Sequence, residues 1–297
     1  MSLLGRVALV TGAGGGLGRC HAHYLAGQGA QVVVNDLAQD AADAVAADIV
    51  KAGGQAMAIA ASVTDEAAVT AMVRQTADRW GRVDILVNNA GILRDKSFGK
   101  MSLEDFRLVV EVHLMGAVIC SKAVWEIMRE QRHGRIVMTT SSSGLWGNFG
   151  QANYGAAKMA LVGLMQTLAI EGERYGIRVN ALAPTAATQM TRGVLSEASL
   201  GLLDPALVSP GLLALVGDDA PTRAILCAGA GHFARASVTL SAGHYIGGAA
   251  DAGEQVVAQW QAISDRADEI VPAHGFAQGE RELANAGLVE PLAAVQR

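Results

Sequence analysis

A short apolar run, VALV at residues 7–10, gives way to the glycine-rich stretch TGAGGGLG at 11–18. Four apolar residues ended by glycines suit a strand buried on both faces of a parallel sheet. Glycines at 12, 16 and 18 permit a tight turn, close approach of a pyrophosphate, and packing of helix against strand. The helix predicted at 17–28, closed by Gly29, turns its N-terminus towards that turn, where backbone N–H groups attract phosphate.

The alternation continues along the chain. Strands are predicted at 31–35, 56–61, 84–88, 135–140, 177–181 and 238–240. Helices are predicted between them at 38–53, 65–80, 102–132 and 154–175, the third capped by Ser102 with Glu104 and Asp105 in its first turn. This order predicts an α/β fold: one doubly wound parallel sheet of about seven strands with helices on both faces. Functional residues then belong at the carboxyl ends of strands, and the motifs do follow Val10, Asn35, Val87, Thr140 and Ala181. Residues 1–248 read as one dinucleotide-binding catalytic domain. The apolar, proline-interrupted segment 189–220 is either a substrate lid or a packed helix. Residues 249–297 read as a partly helical extension that Trp260 and Ile263 anchor.

Asp36 ends the second strand. A carboxylate there accepts hydrogen bonds from both ribose hydroxyls of NAD and repels a 2′-phosphate. No Lys or Arg follows in Leu37-Ala38-Gln39, so NAD is expected over NADP. Asn88-Asn89-Ala90-Gly91 closes the fourth strand, where small residues let backbone approach adenosine.

Tyr154 and Lys158 stand four residues apart in NYGAAK, and Ser141 lies thirteen residues before the tyrosine. A phenol is a poor base near neutrality, since its ordinary pKa is about 10. An ammonium one helical turn away is expected to favour the phenolate. A serine hydroxyl nearby holds a substrate oxygen for proton transfer. Ser142 and Ser143 are adjacent alternatives to Ser141.

Charge and composition exclude other classes. The net charge of −5 carries no basic block and aromatics make up 4%, which argues against nucleic acid. No run reaches the roughly 18 apolar residues of a membrane span. Cys20, Cys120 and Cys227 lie far apart, as reduced thiols of a cytoplasmic protein do, and no metal site is expected.

Together these motifs resemble the short-chain dehydrogenase/reductase family. TGAGGGLG matches its TGxxxGxG pattern, and NNAG, Ser141, Tyr154 and Lys158 match its other signatures, over roughly residues 4–245. The resemblance implies a single Rossmann domain, a nicotinamide cofactor and a homodimer or homotetramer. It implies cofactor contacts from Gly12, Gly16, Leu17, Gly18, Asp36, Asn89, Ala90, Gly91, Tyr154, Lys158, Pro184 and Thr188. Ser62 stands where many members have an aspartate beside the adenine, with Val63 next to it.

Within the family, NNAGILRDKSF, EVHLMGA, GRIVMTTSSSGLWGNFGQANYGAAK and EQVVAQWQAISD are similar to the hydroxyacyl-CoA dehydrogenase domains of peroxisomal multifunctional enzymes of type 2. This implies oxidation of (3R)-hydroxyacyl-CoA thioesters with NAD. His113, in VHL, stands where the wider family has an asparagine whose carbonyl holds a water of a proton relay. Either that relay or helix packing accounts for it. Two other functions stay open: a dehydrogenase of a steroid alcohol or reductase of an acyl-carrier-protein ester, and a dinucleotide-binding protein without turnover.

Overall fold

A computed structural model describes residues 3–187 and 196–288. The chain divides into two compact units, at residues 1–236 and 237–297. In the first unit β1 (Val7–Val10), α1 (Gly16–Gly27), β2 (Gln31–Asp36), α2 (Gln39–Lys51), β3 (Gln55–Ala60), α3 (Glu66–Trp80) and β4 (Ile85–Asn88) form the first half. The second half begins with α4 (Leu103–Val110), a π-helical turn (Glu111–Met115), α5 (Gly116–Gln131) and β5 (Gly134–Thr139). It continues with α6 (Ser142–Trp146), α7 (Ala152–Gly172), β6 (Ile177–Thr185), α8 (Glu197–Leu202), α9 (Pro210–Val216), β7 (Ile225–Gly229) and β8 (His232–Ala236).

The sheet runs β3-β2-β1-β4-β5-β6-β7-β8, parallel throughout except for β8, which pairs antiparallel with β7. Strand order reverses between β1 and β4, and a ligand crevice opens at such a reversal. The fold is thus the expected α/β type. The seventh strand, however, lies at Ile225–Gly229 and not at 238–240. Parallel pairing with β6 decides this, in the register Ala183↔Cys227. Leu240 makes only an isolated bridge to Ile270.

The central strands β1, β2, β4, β5 and β6 bury both faces, which explains their apolar runs, whereas the edge strands β3 and β8 are partly exposed. Leu9, Val33, Leu86 and Ile136 face α3, α5 and α7, and pack with Met72, Val124, Met128 and Met165. Their neighbours Val10, Val34, Val87 and Val137 face the other way, onto Leu25 of α1, Val45 and Ile49 of α2, and Leu212 and Leu215 of α9. Val208, Leu212, Leu215 and Val216 are therefore core. This end of the 189–220 segment is packed helix, and 188–195 lies outside the described residues.

Local signals place the helix ends. Ser102 accepts from Asp105 N at 3.0 Å and Asp65 accepts from Ala68 N at 3.0 Å. The helix expected at 102–132 is a single path from Leu103 to Gln131, interrupted by the π turn. By length and composition it is apolar enough to cross a membrane, with mean hydropathy 1.6. Here one side of it lies in the core, through Val109, Cys120, Val124 and Met128.

In the second unit, Ala252–Ala258, Trp260–Ile263 and Phe276–Asn285 are α10, α11 and α12. Ser241 Oγ donates to Ile263 O at 2.8 Å, and Arg281 donates to Ser241 O at 2.7 Å. Trp260 is exposed and Ile263 half-buried.

At the amino end of the sheet Asp84 is fully buried. Its carboxylate accepts from Val7 N at 2.9 Å, Arg82 Nε at 2.7 Å and Arg6 at 3.2 Å. Burial alone would raise its pKa, but Arg82, Val7 N and Arg6 outweigh burial and hold it below 3.8. A carboxyl lowered in the folded state stabilises the fold above 3.8, and that contribution disappears as pH falls through its lowered value. Asp84→Asn is expected to cost about 3 kcal/mol at neutral pH, because it removes the buried negative charge on which Arg82, Arg6 and Val7 N converge. Urea unfolding of both proteins should show that gap at pH 7 and a narrowing gap below pH 3.8.

Candidate active site

The glycine turn and the end of β4 interlock. Thr11 Oγ1 accepts from Asn89 N and Ala90 N, each at 3.0 Å, and donates to Val87 O at 3.3 Å. Asn89 Nδ2 donates to Thr11 O at 2.9 Å and Gly12 O at 3.1 Å. Gly12 has φ +61°, and a Cβ on it would stand 2.8 Å from Ala90 Cα. A Cβ on Gly18 would strike Gly12 O and Asn89 Nδ2. These glycines exist so that two backbone segments can touch. Asn88 points inward, its Nδ2 3.2 Å from Ser121 Oγ.

This junction leaves the N-terminus of α1 open. Gly15 precedes the helix and offers no side-chain cap, and Gly16 has φ +50°. First-turn N–H groups without a capping side chain suit a pyrophosphate. Leu17 is half-buried and packs against the α1–α2 side of the core. Asp36 stands at the tip of β2. It accepts from Gly14 N at 2.9 Å and Ala38 N at 3.3 Å, and a carboxylate holds about four lone-pair sites, so acceptor capacity remains. Open helix end, closed-in glycines and carboxylate together fit a dinucleotide.

Ser62 and Val63 contribute differently from what their positions suggest. Ser62 Oγ lies 2.8 Å from Thr64 Oγ1 within the turn, and Val63 is buried where a Cβ on Gly116 would touch it at 2.6 Å. Both side chains serve the turn and the core, which leaves backbone to face a base. Pro184 lies near the end of β6, opposite Ala228. Thr188 lies outside the described residues.

The second half of the sheet brings Ser141, Tyr154 and Lys158 together. Ser141 caps α6, a helix the sequence reading did not foresee, and its Oγ accepts from Ser143 N at 3.2 Å. Tyr154 sits in the first turn of α7, half-buried and hydrogen-bonded to Ser141. Lys158, one turn further, is 3% exposed; its Nζ donates to Thr139 O at 2.5 Å and lies 5.5 Å from the Tyr154 ring centroid. Gly144 lets α6 rest on α7: a Cβ there would stand 2.8 Å from Lys158 Cβ. Of the three adjacent serines, Ser141 meets the tyrosine. Ser143 Oγ instead donates to Gln151 at 2.8 Å. Ser142 borders a cavity of about 200 Å³, lined also by Trp146, Ala183, Leu203, Cys227 and Ala228.

His113 occupies the π turn. Its Nε2 is 2.8 Å from Ile92 O and 3.0 Å from Ile92 N. Its ring meets Tyr154 edge-on at 5.2 Å. A Cβ on Gly91 would collide with that ring, which explains the glycine of NNAG. His113 Nδ1 is buried without a hydrogen-bond partner among the described residues.

Electrostatics departs from expectation. Burial lowers Lys158 to about 7. Burial, and secondarily Lys158, lowers His113 to about 3, so the imidazole is neutral. Tyr154 is raised above 10.0, first by burial and further by Asp95, with Ser141 opposing. The lowering expected from Lys158 is therefore missing in the chain by itself. The ammonium is turned to Thr139 O, and its own charge is disfavoured by burial. Sequence reading also passed over Asp95 and Gln151, joined at 2.6 Å beside the site. The only signal for Gln151 was its place in GQANY.

The model of the short chain dehydrogenases matches residues 6–198. Over 215 residues, 69% of this chain and 36% of the relative, the chain is 51% identical to peroxisomal multifunctional enzyme type 2 of Drosophila melanogaster. The solved full-length structure of that enzyme matches with a TM-score of 0.81 at 36% identity, over 96% of this chain and 50% of the other. The chain thus spans about a third to a half of the fly enzyme. A short-chain type dehydrogenase/reductase of Mycobacterium tuberculosis is 51% identical over 69% of this chain and 75% of its own length. A 7α-hydroxysteroid dehydrogenase complexed with NADH and 7-oxo glycochenodeoxycholic acid matches with a TM-score of 0.72 at 32% identity, over 77% of this chain and 95% of its own. With its dinucleotide cradle and its Ser141–Tyr154–Lys158 cluster, the chain belongs to the short-chain dehydrogenase/reductase family, whose members are oxidoreductases acting on hydroxyl groups.

Proposed function

We propose that this chain oxidises (3R)-3-hydroxyacyl-CoA thioesters to 3-oxoacyl-CoA with NAD. The observation that carries the reading is the convergence of Ser141, Tyr154 and Lys158 beside a helix N-terminus and carboxylate suited to a dinucleotide. Ser141 Oγ holds the substrate oxygen. Tyr154, as phenolate, takes the hydroxyl proton. Lys158 offers a cation to that phenolate and to the nicotinamide ribose. Bound NAD supplies the hydride acceptor for the substrate carbon. His113, neutral and wedged between Ile92 and the Tyr154 ring, fixes the tyrosine and presents Nδ1 to a relay water.

NAD is preferred because Asp36 puts a negative charge where NADP carries its 2′-phosphate, and among the described residues no basic side chain pairs with Asp36. An acyl substrate suits the largely apolar cavity beside Ser142, which residues 196–207 adjoin through Leu203. The similarity to peroxisomal multifunctional enzymes of type 2 favours the thioester. The steroid ligand of the hydroxysteroid dehydrogenase keeps a steroid alcohol as second reading. Leu103, Leu108, Met115, Met159 and Ile170 expose apolar surface on α4, the π turn and α7, which supports a homodimer or homotetramer. Three free cysteines support residence in the cytoplasm.

Assays of R and S isomers of 3-hydroxyacyl-CoA at several chain lengths, beside steroid alcohols, test the substrate. Turnover is expected for the R isomer. The Michaelis constant should fall with chain length, since each buried methylene contributes about 0.8 kcal/mol equally in ground and transition states. Preference for S, or activity on free steroids alone, would select the second reading. Tyr154→Phe should lose at least about 100-fold in turnover while calorimetry still shows NAD binding.

Cofactor choice is tested by comparing kcat/KM with NAD and NADP. NAD should win by about tenfold or more, and Asp36→Ala should shrink that ratio. Equal use by the wild type would overturn the argument from Asp36.

Burying Lys158 also has a thermodynamic consequence. A lysine lowered from 10.5 to about 7 binds fewer protons folded than unfolded between those values. Its penalty on stability is therefore full below pH 7 and fades as pH rises towards 10.5. Lys158→Met should abolish turnover yet stabilise the fold by about 2 kcal/mol at pH 7. Thermal unfolding across this range should show the advantage shrinking as pH rises; an advantage that grew would reverse the sign assigned to Lys158.

A further inference from the structure

Residues 92–97 run from His113's backbone partner to the mouth of the site, and three hydrogen bonds tie them to the start of α7. Asn153 Nδ2 donates to Arg94 O at 3.0 Å, Lys96 N donates to Gly150 O at 2.9 Å, and Gln151 Nε2 donates to the Asp95 carboxylate at 2.6 Å. The last bond sets the polarity of a chain. A carboxylate only accepts, so the Gln151 amide must turn its NH2 to Asp95. Gln151 Oε1 then accepts from Ser143 Oγ at 2.8 Å and from Asn148 Nδ2 at 3.1 Å. Ser143 N in turn donates to Ser141 Oγ. Asn153 Oδ1 accepts from Tyr154 N at 2.7 Å, so the loop is tied to the backbone that carries Tyr154 as well as, through Gln151 and Ser143, to Ser141 Oγ.

Asp95 is also a charge without a local counterion. Its basic neighbours Arg94 and Lys96 both approach Asp105 instead, each at 3.8 Å, and among the described residues no cation pairs with Asp95. We infer that Asp95 and Gln151 form a clamp of positioning residues that holds Ser141 and the start of the Tyr154 helix in register across the mouth of the site. The inference rests on the reading of Tyr154 as the proton-exchanging group and deepens it. The titratable groups that face Tyr154 are Lys158 from its own helix, His113 from the π turn and Asp95 from this loop. The imidazole stays neutral above about pH 3 and Lys158 loses its charge above about pH 7, so where the tyrosine titrates Asp95 is the charged group among the three. Asp95 is thus the anionic contribution to the tyrosine's acid–base balance. The phenol's direction of shift agrees, with Asp95 adding to burial.

The test uses the whole chain and three variants. Phenolate absorbance of Tyr154 is isolated as the difference between each protein and the same protein carrying Tyr154→Phe. In wild type it should titrate above 10.0. Asp95→Asn keeps an acceptor for Gln151 and removes the charge, so the midpoint should move down by roughly half a pH unit, as suits a charge on an exposed loop. Asp105→Asn, a charge removed nearby on the surface, should leave it in place. Gln151→Leu frees the carboxylate into solvent, so it should move the midpoint in the same direction and lower turnover about tenfold. An unmoved midpoint in Asp95→Asn, an equal shift in Asp105→Asn, or wild-type turnover and midpoint in Gln151→Leu would each overturn the clamp. The titration needs no substrate, so an error in the substrate class leaves it readable. With a turned-over substrate, the pH profile of kcat/KM should shift in parallel.

Discussion

Everything that distinguishes this site depends on β1 and β4 lying side by side at the reversal of strand order. A single hydroxyl, Thr11 Oγ1 at the end of β1, joins the two strand ends by accepting two N–H groups that follow β4 and donating to a carbonyl within β4. Asn89 returns the favour through the backbone of Thr11 and Gly12. Such a junction satisfies the polar backbone that both strands expose where they stop, which a buried crevice requires. It also forces small residues on both sides, because backbone atoms approach to distances that a Cβ would block. The open N-terminus of α1 is a by-product: with the turn held from behind, its first N–H groups point to the crevice.

The other half of the site is ordered by a different constraint. Tyr154 and Lys158 share one helix, so their spacing is fixed by 3.6 residues per turn. What they face is fixed by α6, five residues long, which rests on α7 through Gly144 and is capped by Ser141. The Ser141 hydroxyl that faces Tyr154 therefore doubles as a helix cap. A side chain at 144 would lift the cap and the Ser141 oxygen together.

Much of this could be read from the residues. TGAGGGLG, Asp36, NNAG, Ser141 and YGAAK announced the fold and the cluster because their requirements are local: a glycine for a turn, a period for a helix. Three features escaped because they are settled at long range. The seventh strand at Ile225–Gly229 is selected by β6 rather than by its own composition. The π turn lies inside a continuous apolar helix, where one extra residue hardly disturbs the hydrophobic period, and only the fit of His113 against Gly91 and Ile92 shows what it does. The end of the 189–220 segment looked like a possible lid because its apolar residues have no partner in sequence, yet Leu212 and Leu215 fill the face of the sheet beside α1.

The direction of the tyrosine's acid–base bias was also beyond sequence. Adjacency of a lysine predicts a phenolate only if water still screens and solvates both groups. Once Lys158 is buried and turned to Thr139 O, the cost of its own charge dominates. The pocket then pushes all three titratable groups towards neutrality: lysine down, imidazole down, phenol up. A neutral phenol is ready to give a proton to a carbonyl oxygen, whereas taking one from an alcohol requires charging it first. Under the proposed reaction, proton release thus carries a larger share of the barrier in oxidation than in reduction, and rising pH favours oxidation twice, through the overall equilibrium and through the state of Tyr154. Stability is given up at Lys158, and under the proposed reaction that is a group which acts only with substrate and dinucleotide in place, where a fold departs from its own optimum.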